Sequence, residues 1–88
     1  MDRIELYESL LARNGSLLQS VVALEELSEC QKEICKILRG NGNTDHLAEE
    51  VADATIMLEQ ITHMYCIEKQ VSQYIDEKVQ RIADRLAE

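Results

Sequence analysis

Proline, tryptophan and phenylalanine are absent from this 88-residue chain, and glycine occurs three times. Without proline nothing interrupts a helix by removing a backbone donor, and with few glycines there is little from which to build long loops. Strands are equally short of material, because the aromatic residues that favour them are reduced to Tyr7, Tyr65 and Tyr74. No apolar run approaches the roughly 20 residues that a membrane-spanning helix needs. The first residues, Met1-Asp2-Arg3-Ile4-Glu5, lack the basic-then-apolar layout of a signal peptide. Basic residues are scarce too, and the net charge of −8 argues against a nucleic-acid polymer as ligand. Cys30, Cys35 and Cys66 are odd in number and form no C-x-x-C pair, so reduced thiols in a cytoplasmic protein are expected.

What is present is helix-forming: Leu, Glu, Ala, Gln and Lys dominate, and 45% of the residues are apolar. The expected fold is all-α, one domain over residues 1–88, an antiparallel bundle of about four helices. A chain this short buries a modest share of its surface alone, so the bundle is expected to be completed by a homodimer or homotetramer.

Asp2 caps a first helix carrying Ile4, Leu6, Tyr7, Leu10 and Leu11, with a stop or kink at Asn14-Gly15 across which the next helix is nearly continuous. Ser16 opens a second helix to about Arg39, whose core stripe reads Leu17, Leu24, Leu27, Ile34 and Leu38. Gly40-Asn41-Gly42-Asn43 is a connector short enough to join antiparallel neighbours, with Thr44 or Asp45 as the next cap. The third helix runs from about Asp45 to Cys66, with Leu47, Val51, Ala54, Leu58, Ile61 and Tyr65 as its stripe. From Glu68 to Glu88, a fourth repeats Val71, Ile75, Val79, Ile82 and Leu86.

Chemistry concentrates in two acidic stretches. Glu25-Glu26-Leu27-Ser28-Glu29 and Glu50-Val51-Ala52-Asp53 each set carboxylates three residues apart, about 60° around a helix axis. Like charges held so close repel, and a cation between the pairs relieves them. Leu18 and Val22 share the acidic arc one and two turns earlier, and Met57 and Met64 extend that of the third helix. The arc therefore has the character of a pocket apolar at one end and charged at the other. Four carboxylates with no cysteine or histidine pair suit Mg²⁺ or Mn²⁺ rather than zinc. Glu59 and His63 stand four apart, which is not the Glu-x-x-His spacing of a di-iron site. A solvated acidic face is the competing reading.

The two motifs together resemble the E-E-x-x-E … E-x-x-D signature of the all-α nucleoside triphosphate pyrophosphohydrolases, the MazG-like superfamily. The likeness covers about residues 16 to 85. It implies Mg²⁺-dependent hydrolysis of a (deoxy)nucleoside triphosphate to monophosphate and pyrophosphate. It also implies Glu26, Glu29, Glu50 and Asp53 as metal ligands, with Glu25 orienting water or a second metal. Lys78, with Arg81 and Arg85 behind it, matches the basic residues that such proteins carry on the last helix for the phosphates. His46, one turn before Glu50, is within range of a phosphate or the base. Phosphoribosyl-ATP pyrophosphohydrolase shares the superfamily, and a non-catalytic helical adaptor or regulatory oligomer is the alternative from outside it.

Overall fold

A computed structural model describes all 88 residues as three helices: α1 (Arg3–Leu38), α2 (Thr44–Met64) and α3 (Glu68–Leu86). The stop expected at Asn14-Gly15 is a break within α1. Gly15 has φ 83° and ψ 161°, a backbone region essentially closed to side chains, so the first segment turns away without ending the helix. Three helices, one of them broken, thus stand where four were expected. None is long and apolar enough to cross a membrane.

The helix ends follow local chemistry. Asp2 caps α1 as expected, accepting from the Glu5 N–H at 2.8 Å. Asn43, rather than Thr44 or Asp45, caps α2, accepting from the N–H groups of Asp45 and His46. At the end of α1, Asn41 N–H bonds Lys36 C=O and Gly40 N–H bonds Ile37 C=O, with Gly40 left-handed at φ 82°. This double closure is a Schellman motif, and it reverses the chain. The α2–α3 turn repeats it with Cys66 at φ 55° in the glycine position.

Residues 16–38 of α1 lie antiparallel to α2, as the short connector requires; Gln19 meets Gln60, and Glu26 approaches Glu50 and Asp53. The packed face keeps only part of the expected stripes: Ala54 is buried, and Leu27, Leu47 and Ile61 are half-buried. Leu17, Leu24 and Leu38 are 79%, 68% and 81% exposed, and on α2 Val51, Leu58 and Tyr65 are exposed as well. The face of α1 turned towards α2 instead runs through Gln19, Ala23, Glu26, Cys30, Glu33 and Ile37. Small Ala23 and Ala54 permit close approach there, and Gln19 donates to Gln60 at 2.7 Å while accepting from Asn14 at 2.8 Å. The helices are therefore rotated so that Glu26 and Glu33 of the acidic arc enter the seam while Glu25 and Glu29 stay exposed, and Leu17, Leu24 and Leu38 face outward.

Only six residues are buried: Tyr7, Gln19, Ala23, Ala54, Met57 and Gln60. None of them belongs to α3, which meets α2 alone and is exposed at every position from Ser72 onward. The three cysteines are free, and only Cys30 is half-buried.

Candidate metal centre

The rotation of α1 on α2 brings three carboxylates together. One oxygen each from Glu26, Glu50 and Asp53 lies within 4.8 Å of the others. Glu26 comes from α1 and the other two from α2, so the cluster exists only because the helices pack antiparallel in this register. Glu50 sits deepest: its Oε2 is buried with no hydrogen-bond partner. Burial, and then the charges of Asp53, Glu26, Glu29 and Glu33, hold the Glu50 carboxyl above its ordinary range. A buried carboxylate oxygen without a donor, on a residue clustered with two more carboxylates, is electrostatically unsatisfied, and either a proton or a hard cation would relieve it. Mg²⁺ retains several waters, so three oxygens on two helices are a donor set it accepts.

The remaining expected ligand, Glu29, is exposed and outside the cluster; Lys32 one turn on draws its Oε1 to 3.2 Å. Lys36 holds half-buried Glu33 in the same way at 3.2 Å. Glu-x-x-Lys at both places is the sequence signal for these pairings. Glu25 is exposed, again outside the cluster. His46 is exposed too, and its backbone N–H serves the Asn43 cap. Lys78, Arg81 and Arg85 are not at the cluster within one chain. They lie on the exposed part of α3, which makes no contact with α1. The reason is the turn at Cys66, which starts α3 from the end of α2, 14 residues and roughly 21 Å of helix beyond Glu50.

A second polar constellation had no signal in the sequence. Arg3 Nη1 donates to both oxygens of Glu59 at 2.8 Å, and the Tyr7 hydroxyl donates to Glu59 Oε1 at 2.6 Å. The Tyr7 hydrogen bond, and then the one from Arg3, hold the Glu59 carboxyl below its ordinary range. Burial and the neighbouring carboxylate push the Tyr7 phenol up. His63 faces Glu8 through Nε2 at 3.4 Å and Glu68 through Nδ1 at 3.3 Å, linking all three helices. These groups rim an apolar groove of about 720 Å³ floored by Ile4, Leu58, Ile61, Ile67, Val71 and Ile75. They position the first segment of α1, and none belongs to the acidic cluster.

Compared with family models, with curated proteins and with solved structures, the chain matches none.

Proposed function

We propose that the protein is a Mg²⁺-dependent nucleoside triphosphate pyrophosphohydrolase that works as a homo-oligomer. The observation that carries this reading is the convergence of carboxylate oxygens of Glu26, Glu50 and Asp53 from two helices, with one Glu50 oxygen, Oε2, buried and unpartnered. The paired acidic motifs, which resemble those of the MazG-like superfamily, supply the reaction class. Glu26, Glu50 and Asp53 would hold Mg²⁺, or Mn²⁺ in its place. Bound there, the cation supplies charge neutralisation for phosphate oxygens and a water of lowered pKa. Glu29 stands one turn from Glu26, and release of Lys32 frees it to orient that water. Glu25 serves the outer edge of the same site. The apolar side chains Leu18 and Val22, earlier on the acidic arc, give the nucleoside a non-polar wall.

Pyrophosphate release from a panel of ribo- and deoxyribonucleoside triphosphates, with phosphoribosyl-ATP included, tests the reading. Wild-type protein with Mg²⁺ is expected to turn over at least one member, and Asp53→Asn to abolish turnover with the helical circular-dichroism signal unchanged. Turnover by Asp53→Asn at the parent rate refutes the site. The alternative, a non-catalytic helical oligomer, is favoured by one observation: within a chain no basic residue of α3 reaches the cluster. Such a module is stabilised neither by Mg²⁺ nor by a non-hydrolysable triphosphate, whereas the enzyme is stabilised by the two together.

A further inference from the structure

The groove between the first segment of α1, the middle of α2 and the start of α3 has a volume of about 720 Å³, and the proposed reaction makes no use of it. That volume falls within the range of small-molecule sites, which likewise join an apolar floor to a few polar groups gathered at the rim. On the floor, Ile4, Leu58 and Ile75 are 46%, 51% and 55% exposed, so a ligand that covers them removes apolar surface from water. The groove shares no residue with the Glu26–Glu50–Asp53 cluster.

The two polar ends of the rim differ in how far their charges are matched. At one end Glu59 accepts from Arg3 and from Tyr7, so its charge is paired and its hydrogen bonds are made. That end holds the α1 wall of the groove against α2 before any ligand arrives, which lowers the cost of binding. At the other end His63 lies between Glu8 of α1 and Glu68 of α3, 3.4 Å from the first and 3.3 Å from the second. A neutral imidazole carries one N–H, so it serves one of these carboxylates and turns a lone pair towards the other. Arg3 is engaged by Glu59, and neither Glu8 nor Glu68 has a Lys or Arg at ion-pair distance. Negative charge is therefore in surplus at the His63 end, and what matches it is a cation.

We propose that this groove is a second binding site, for a small organic cation: an apolar body lies over Ile4, Leu58 and Ile75, and a protonated amine at the His63 end donates to Glu8 and Glu68. An amine is the head group that the rim selects, because a positively charged N–H donor serves both carboxylates while the imidazole stays neutral. A carboxylate or phosphate head would set a further negative charge beside them, and a hydroxyl would leave their charge unmatched. Such a ligand touches all three helices at once. It thereby ties the start of α3, which packs on α2 alone, to the first segment of α1. The site is independent of the acidic cluster and of any turnover there.

Octylammonium, octanol and octanoate carry one apolar chain and differ in the head group, so their binding to the full chain separates charge from hydrophobicity. Amide chemical-shift titrations at about pH 8, where an ordinary imidazole is neutral, read both the affinity and the place. Octylammonium is expected to shift amides around Leu58 on α2 and Val71 on α3. It is also expected to bind about tenfold or more tightly than octanoate, from two exposed ion pairs gained and two repulsions avoided. Glu8→Gln with Glu68→Gln, both at exposed positions, is expected to lower octylammonium affinity about three- to tenfold and to leave that of octanol unchanged. Leu58→Asn, at an exposed position of the floor, is expected to weaken all three ligands, with circular dichroism checking that each variant keeps its helices. Equal binding of the ammonium and the carboxylate, or shifts confined to residues outside the groove, overturns the proposal. So does a groove occupied by a second copy of the chain, seen as amides there that respond to protein concentration and not to octylammonium. None of these readings depends on pyrophosphate release.

Discussion

Replacing Glu50 with glutamine is expected to move stability in opposite directions depending on whether Mg²⁺ is present. Without the cation, the carboxyl of Glu50 is held above its ordinary value by burial and by Asp53, Glu26, Glu29 and Glu33. A carboxyl that ionises less readily in the fold than in the unfolded chain costs stability once pH rises past its unfolded value of 4.5. At neutral pH the E50Q variant loses that charge, and its amide donates where Oε2 had no partner, so its Tm should exceed the wild type's. The advantage should disappear at about pH 4, where Glu50 carries its proton in both states. With Mg²⁺ at about 100 times its Kd, linkage adds about 2.7 kcal/mol to the wild type. For a domain of this size that corresponds to roughly 11–22 °C in Tm. The E50Q variant should lose most of that increment and so cross below the wild type. Thermal denaturation of both proteins at one concentration, at about pH 4 and pH 7.5, with and without MgCl₂, reads every Tm the comparison needs. A lower Tm for cation-free E50Q at the higher pH, or an undiminished Mg²⁺ shift, would refute the electrostatic account of the seam.

Tyr7→Phe removes a hydrogen bond to a partly exposed carboxylate and should cost about 1 kcal/mol at neutral pH in urea denaturation. Because Glu59 is held below its ordinary range, its contribution is present above pH 4.5 and fades as pH falls through its lowered folded value; the cost of Tyr7→Phe should shrink with it. Gln60→Ala leaves the buried Gln19 amide without its acceptor and opens a gap beside Met57, for about 2–3 kcal/mol by the same measurement. Gly15→Ala forces a side chain into φ 83° and ψ 161° and should cost about 1–3 kcal/mol, whereas Cys66→Gly relieves a left-handed residue and should gain about 1 kcal/mol. A Gly15→Ala protein as stable as wild type would mean that the break in α1 is not there.

The helices were legible because their signals are local. Asp2 at one end and Gly40 at the other act within a few residues, and the break at Gly15 needs only the one residue type that tolerates its backbone. The acidic motifs were legible as motifs, and Glu26, Glu50 and Asp53 do converge. The packed face was not legible. Periodicity marks an apolar stripe but not what covers it, and it assigned the leucines of α1 to the inside of the chain. Gln19 and Gln60 are 41 residues apart and both polar, so nothing in either neighbourhood marks them as partners in a buried bond. The Arg3–Glu59–Tyr7 cluster is likewise a product of the bend at Gly15 and not of any spacing.

That error has a physical content of its own. A protein that folds α1 on α2 through alanine and glutamine while leaving Leu17, Leu24 and Leu38 in water has forgone apolar burial within the chain. The same rotation carries Glu26, Glu33 and Glu50 into the seam, which adds repulsion where burial would have added stability. Both costs fall on the isolated chain: apolar surface left in water along the leucines, and like charges left facing one another at Glu26, Glu50 and Asp53. The α3 helix likewise leaves an apolar strip, Ile75 to Leu86, exposed beside a basic one, Lys78 to Arg85. A sequence that kept the acids outward and the leucines inward would make a better monomer, but it would hold no three-carboxylate cluster. The inverted packing is therefore what brings the three carboxylates together, at the expense of apolar burial in the lone chain.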